Sequence, residues 1–295
     1  MLLVMFWNVE NFFDTYDNPY RNDDEFTPQG ENHWTKEKFQ QKRDDIAKTI
    51  ALAADQYGAF PALIGLCEVE NAYTLNQLAN HTPLSRAGYQ FIHRESPDSR
   101  GIDVALLYRK DIFTPLEKRF YKSDFPTREI LYAKGVVNSL DTVHVLVNHW
   151  PSKSGGEKSS EPKRMAVADL AKGVIDSLLA ANPKAAIIMM GDLNDTPASK
   201  SVKHLIGNRE NLVNLTPFAT GEKGTYKYRG DWSAIDQFIV SLYGSREMYV
   251  FAPEFLLEWD DAYMGVKPRR TYQGPKYLGG VSDHLPIILK IYGHR

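Results

Sequence analysis

The chain has 295 residues, with 35 Lys plus Arg against 37 Asp plus Glu and a formal charge of −2. A hydrophobic fraction of 43%, with 12% aromatics, supplies enough buriable surface to exclude a disordered chain. The near-neutral balance excludes capture of a polyanion by overall charge, so any phosphate chemistry must rest on local groups or a metal. One cysteine, Cys67, excludes an intrachain disulfide and any multi-cysteine zinc or iron–sulfur site.

The run Leu2–Trp7 reads as a strand, with neither the cationic start nor the small-residue cleavage site of a signal peptide. Localisation stays open, export of a chain trimmed of its leader included. Thr35 is the expected N-cap of a long helix carrying Phe39, Ile46, Ile50, Ala53, Ala54 and Tyr57. Strands are expected at Ala62–Cys67, Asp103–Tyr108 and Thr142–Asn148. A second long helix is expected after Glu161-Pro162, with the proline in its first turn, ending at Asn182-Pro183. Strand Ala185–Met190, a short helix from about Ser199 to Ile206, and strands Ile235–Val240 and Pro286–Tyr292 follow. The loop-like stretches are Asp14–His33, Ser152–Ser160, Thr216–Ser233 and Tyr263–Gly280, and loops this long are more often functional than idle. With no repeat, linker, coiled-coil pattern or run of about 18 apolar residues, the expectation is one α/β domain over residues 1–295, monomeric, without a membrane span or an obligate protein partner.

Uncommon polar residues sit at the ends of these strands. Asn8 and Glu10 follow the first, Glu68 the second, His149 the run Val-His-Val-Leu-Val-Asn, and Asp192 and Asn194 the run Ile-Ile-Met-Met-Gly. Asp236 opens a strand, and Asp283-His284 precede the last one. Each alone reads as a turn or cap. Six strand ends carrying this set point instead to a site at one rim of a sheet. Carboxylates with Asn and His are hard ligands suited to Mg²⁺, Mn²⁺ or Ca²⁺, and Mg²⁺ leaves coordination positions for a phosphate. Surplus carboxylates can deprotonate water while His and Asn stabilise a pentacovalent phosphate, so metal-assisted phosphoester hydrolysis fits the inventory.

Other chemistries fit less well. The chain has no GxxxxGK[ST] loop, no GxSxG elbow and no HExxH motif. Ser282-Asp283-His284 are sequence neighbours, and a catalytic triad needs spatial convergence that adjacency does not supply. His144 and His149 fall on opposite faces of one strand and cannot share a metal. His144 is expected in a core or surface role, and His33, His81, His93, His204 and His294 as solvent or packing residues.

The segments Phe-Trp-Asn8-Val-Glu-Asn, Leu-Cys-Glu68-Val, Asn-His149-Trp-Pro, Gly-Asp192-Leu-Asn194, Ile-Asp236-Gln-Phe and Ser-Asp283-His284-Leu-Pro together resemble the ordered motifs of the endonuclease/exonuclease/phosphatase superfamily. The resemblance spans residues 6–286 and implies a four-layer α/β/β/α sandwich, DNase I-like, with two mixed sheets face to face. It further implies Glu68 as principal metal ligand with Asn8 and Asp283 close by, Asp192 acting on the attacking water, and Asn194 bonding the phosphate. His284 would face the phosphate, oriented by Asp236, with His149 stabilising the leaving oxygen or the transition state. Within the superfamily, Asn-Val-Glu-Asn-Phe-Phe-Asp and Asn-His-Trp-Pro-Ser-Lys-Ser-Gly-Gly look most similar to the bacterial nuclease-like branch. Cys67, where Gln is common, and Trp150, where small residues are common, depart from the pattern.

For substrate contact the candidates are Arg100, Lys153, Arg269 and Arg270. The last two lie in a stretch, Val266–Tyr277, that mixes cations with Tyr272 and Tyr277 and has no acid. The acidic run Asp14, Asp17, Asp23, Asp24 and Glu25 would repel a long polyanion if it lay at the site. The leading expectation is a Mg²⁺- or Mn²⁺-dependent phosphodiesterase acting on DNA or RNA. Hydrolysis of small sugar, inositol or lipid phosphates is the second, and a catalytically silent binding module the third.

Overall fold

The computed structural model describes residues 1–137, 140–153, 155–241 and 244–293; Ser154 of the Ser152–Ser160 loop and His294 lie outside the described residues. Strand β1 (Leu2–Phe12) leads to helix α1 (Lys36–Tyr57), β2 (Leu63–Val69), α2 (Ala72–Asn80), β3 (Tyr89–His93) and β4 (Asp103–Arg109). Then come β5 (Phe113–Tyr121), β6 (Ile130–Val137), β7 (Leu140–His149), α3 (Glu157–Ala181), β8 (Ala186–Asp192) and α4 (Lys200–Ile206). Short strands β9 (Val213–Asn214), β10 (Thr220–Gly221), β11 (Tyr226–Tyr228) and β12 (Asp231–Ser233) precede β13 (Asp236–Ser241) and β14 (Ser245–Val250). The chain closes with β15 (Leu257–Trp259), β16 (Val266–Pro268), β17 (Tyr272–Gln273), β18 (Lys276–Tyr277) and β19 (Ile287–Tyr292).

Two mixed sheets form the centre. A seven-stranded sheet runs β10-β14-β19-β1-β2-β4-β3, and a six-stranded sheet runs β5-β6-β7-β8-β13-β9. The neighbours β1–β2 and β7–β8 are parallel, so each pair of rim residues they carry emerges at the same end. One apolar cluster joins the inner faces of both sheets to α1 and α2, and a second lies between the six-stranded sheet and α3 and α4. This is the expected α/β/β/α sandwich. A strand covered on both faces shows no alternation, and that is why β1 reads as an unbroken apolar run. Gly65 and Met190 meet across the sheets, where a Cβ on Gly65 would stand 2.7 Å from Sδ of Met190.

Thr35 caps α1, accepting the Lys38 N–H through its hydroxyl at 3.4 Å, and Gly58 ends the helix at φ +83°. Helix α3 starts at Glu157, earlier than the expected start at Pro162, which lies inside it. The Ser160 hydroxyl donates to Gly156 O at 2.8 Å and helps hold this added first turn. No helix among the described residues is long and apolar enough to cross a membrane.

Candidate active site

The strand ends converge on a cleft of about 670 Å³ whose lining includes Glu68, Arg100, His149, Asp192, Asn194 and His284. Asn8, fully buried near the end of β1, donates its amide to Asp192 Oδ2 at 3.0 Å and to Glu68 Oε1 at 3.3 Å. It thereby ties the two sheets together at the rim. The Gly before Asp192 is required by space, because a Cβ on Gly191 would sit 2.5 Å from the carbonyl oxygen of Asn148 on the neighbouring strand. Four non-glycine residues of the lining take positive φ: Glu10 (47°), Asn11 (52°), Glu68 (62°) and Asn194 (50°). Each costs on the order of 1 kcal/mol and turns a strand end sharply inward. Asn11 N–H then donates to Glu68 Oε2 at 2.9 Å, and Asn194 N–H to Asp192 Oδ1 at 2.9 Å.

Two histidines flank Asp192. His284 Nδ1 pairs with Asp236 Oδ2 at 2.7 Å, and its Nε2 lies 3.9 Å from Asp192 Oδ2. Burial alone would push this imidazole down, but Asp236, Asp192 and Asp283 hold it well above the ordinary histidine range. His149 Nε2 lies 3.7 Å from the same Asp192 oxygen and 3.9 Å from Glu68 Oε1. Burial, with the Arg128 and Arg100 cations, pushes it well below that range. Burial and the Asp236 charge raise Asp192 to about 7. The site therefore places a cationic and a neutral imidazole beside one carboxylate poised near neutrality.

The motif residues before β19 are fixed from below. Ser282 donates its hydroxyl to Asn8 O at 2.6 Å and accepts the His284 N–H at 3.0 Å, a positioning role rather than a nucleophilic one. Trp7 Nε1 donates to His284 O at 2.9 Å. Trp150 O accepts Asn194 Nδ2 at 3.0 Å and Arg128 at 2.7 Å, and its buried indole donates to Asn148 Oδ1 at 3.2 Å, so this departure from the pattern contributes packing behind the rim.

Asp283 accepts a 2.8 Å bond from Arg270, which also lies 3.5 Å from Glu10. Glu10 accepts the Thr271 N–H at 2.8 Å, and buried Lys42 on α1 donates to the Thr271 hydroxyl and to Val281 O. Burial and Asp283 raise Glu10 to about 7, and burial lowers Lys42 to about 8. Glu10 stood out in the sequence as a polar residue after the first apolar run and Arg270 as a cation near Tyr272, but nothing in the sequence paired the two.

Of the substrate candidates, Arg100, Lys153 and Arg270 line the cleft. Arg100 sits beside Asp98, which is held by Arg128 at 2.8 Å, and Lys153 bonds Glu157 at 2.8 Å. Arg269 is outside the lining and donates to Leu278 O at 3.2 Å. None of Asp14, Asp17, Asp23, Asp24 and Glu25 lines the cleft either, and Asp14 is bonded by the Asn71 amide at 2.9 Å. Tyr226 was not anticipated as a site residue: its ring lies 5.0 Å from that of His284 and covers it.

Glu68 and Asp283 bring hard oxygen donors to this lining, with side chains 14% and 20% exposed. Among the described residues, ligand atoms gather within 4.8 Å of one another in Asp192–Asp236–His284 and in Cys67–His149–Asp192. In the first, the His284–Asp236 bond already uses one ligand atom of each. In the second, burial pushes the Cys67 thiol well up, away from the thiolate that a metal requires. Glu68 and Asp283 are carboxylates of the kind a divalent cation takes, and Glu10 and Asp192, both held up near 7, mark an acidic cluster that such a charge would relieve.

No curated protein matches the sequence. Among solved structures, truncated TDP2 of Caenorhabditis elegans is 15% identical with a TM-score of 0.63, the match covering 99% of this chain and 97% of that one. A mannosyl-6-phosphatase of Bacteroides thetaiotaomicron VPI-5482 is 18% identical with a TM-score of 0.63, covering 99% and 100%. An endonuclease/exonuclease/phosphatase of Bacteroides vulgatus is 17% identical with a TM-score of 0.62, covering 99% of each. These share the sandwich, and the family model described as Endonuclease/Exonuclease/phosphatase family matches residues 3–292. Matched over nearly its whole length, and with buried acids and histidines gathered at one rim, the chain belongs to the endonuclease/exonuclease/phosphatase family of phosphoester hydrolases.

Proposed function

We propose that the protein is a phosphodiesterase that hydrolyses nucleic acid with Mg²⁺ or Mn²⁺. The observation that carries this reading is the convergence of two buried histidines on Asp192, with His149 Nε2 at 3.7 Å and His284 Nε2 at 3.9 Å from its Oδ2, beside the Glu68 carboxylate. Glu68 and Asp283, with Asn8 beside Glu68, would hold the cation, which supplies positive charge to phosphate oxygens when bound. Asp192, anionic above its raised pKa, takes the proton of the attacking water as the phosphorus–oxygen ester bond breaks. His284, kept cationic by Asp236, presents its Nε2 proton to the phosphate, where charge develops. Neutral His149 offers a second ring across Asp192, and Asn194 lines the cleft with its Nδ2 held by Trp150 O. Arg100, Lys153 and Arg270 supply local positive charge for flanking phosphates.

A second reading, hydrolysis of small phosphoesters such as sugar phosphates, is favoured by how little positive charge is free. Lys153 and Arg270 are already paired with acids, and Arg269 is directed to Leu278. A panel of DNA, RNA and phosphomonoesters, each with Mg²⁺, Mn²⁺, Ca²⁺ or EDTA, decides between them. Phosphate release with intact nucleic acid would overturn the first reading. Activity insensitive to EDTA, or unchanged in Asp192→Ala, would overturn the mechanism, whereas no turnover of any substrate in the panel would leave the third expectation, a silent binding module.

A further inference from the structure

The hairpin of β11 and β12 overhangs the cleft and carries a feature that its own turn geometry does not call for. Tyr228 pairs with Asp231, so Arg229 and Gly230 form a two-residue loop, with φ of +50° and +90°. Both loop residues of such a turn sit in the left-handed region, where Asn-Gly is the favoured pair. Arginine at the first position is strained, at a site where Asn would cost less.

What the arginine gains is a place over Tyr228. Its guanidinium lies 5.2 Å from the ring centroid, and Tyr228 is 57% exposed while lining the cleft. Tyr226, two residues earlier on the same face, packs at 5.0 Å on His284. The hairpin thus lays two rings outward from the reacting end of the cleft. Its opposite face is anchored: nearly buried Lys227 pairs with Asp260 at 3.2 Å and donates to Met264 O and Val266 O, each at 3.1 Å. Tyr263 also sits under Gly230, where an added Cβ would lie 3.1 Å from it. The platform is fixed from behind and open in front.

We propose that Tyr228 and Arg229 form a subsite for the unpaired nucleobase next to the scissile phosphate, in single-stranded nucleic acid. The inference rests on the nucleic-acid reading and names the part of the substrate it recognises. An exposed ring with a guanidinium over it offers flat surfaces to a base and a charge to the adjoining phosphate. A base inside a duplex has no free face to offer.

The test compares a labelled single-stranded oligonucleotide with an abasic tract of equal length, in cleavage with Mn²⁺ and in binding to His284→Ala protein. The native platform should favour the oligonucleotide with bases by about tenfold. Tyr228→Ala should bring that ratio close to one. Arg229→Asn should reduce the ratio several-fold while the melting temperature stays the same or rises, because Asn suits the turn. A native ratio of one, or a ratio preserved in Tyr228→Ala, would overturn the subsite while leaving the nuclease reading intact. Turnover of mannose 6-phosphate with neither oligonucleotide cleaved or bound would overturn both.

Discussion

Of the buried histidine–aspartate pairs among the described residues, two are held in opposite ways. At the rim, His284 and Asp236 are joined by a 2.7 Å bond, and the imidazole is held well above its ordinary range. Between β3 and β4, His93 Nε2 and Asp103 Oδ2 stand 3.9 Å apart, and neither atom has a hydrogen-bond partner among the described residues. There burial lowers His93 to about 4 and raises Asp103 to about 7, so both favour the neutral form. Burial pushes both histidines the same way. What differs is the short bond to Asp236 and the second and third carboxylates, Asp192 and Asp283, that face His284. A His–Asp neighbourhood becomes an ion pair only where enough negative charge is gathered to offset desolvation.

The largest effect that separates the pairs is catalytic. His284→Ala should lower phosphoester hydrolysis by about a thousandfold, the scale of losing a charged donor at the developing phosphate charge, while His93→Asn should leave the rate within a few-fold of native. Steady-state rates on the best substrate of the panel, with thermal melts to show that both proteins fold, check this. A comparable loss in both would dissolve the distinction.

Asp236→Asn should cost less, about a hundredfold, because the ring keeps a hydrogen-bond partner but loses its counter-charge. Removing the carboxylate lowers the folded pKa of His284, so the alkaline fall of the pH–rate profile should move to lower pH. A slower enzyme with an unmoved profile would mean that Asp236 only positions the ring. Glu68→Gln probes the proposed metal side: it should weaken Mn²⁺ binding by about 10- to 100-fold in calorimetry. Unchanged Mn²⁺ affinity would shift the metal away from Glu68.

The rim pair was legible in the sequence, and the interior pair was not. Asp192, Asn194, Asp283 and His284 draw notice because several strong apolar strands end or begin at such residues, each of which alone reads as a turn, and the pairing of His284 with Asp236 came from the family resemblance. His93 and Asp103 are 10 residues apart on strands whose antiparallel pairing, with His93 opposite Ala105, only the fold reveals. The same limit hid β5, an edge strand whose half-buried Glu117 and exposed Lys118 and Arg119 give it the composition of a loop. Helix α2, nine residues long, offered a signal in its Asn71 cap, but too few turns for the apolar stripe to stand out. Arg269 and Arg270 looked alike as neighbouring cations. The chain path sends one to the Leu278 carbonyl and the other to Asp283, a divergence no local pattern records.

The smallest effect concerns stability. Asp103 has a folded pKa of about 7 against an ordinary 3.8, so the fold holds this proton more tightly than the unfolded chain does. Its contribution is present below about pH 4 and is lost as pH rises toward 7. His93 has a folded pKa of about 4 against an ordinary 6.5, so the fold prefers it neutral. Its contribution is present above pH 6.5 and is lost as pH falls toward 4. In the native protein the two slopes oppose each other across the same window and largely cancel. His93→Asn leaves the Asp103 slope alone, and urea denaturation should show stability falling by about 1–3 kcal/mol from pH 4.5 to 7 relative to native. Asp103→Asn leaves the His93 slope, and stability should tilt by a similar amount the other way, falling as pH drops from 7 to 4.5. Opposite tilts would establish that the interior pair is neutral, whereas profiles parallel to native in both variants would mean that its proton rests on the imidazole, as it does at the rim.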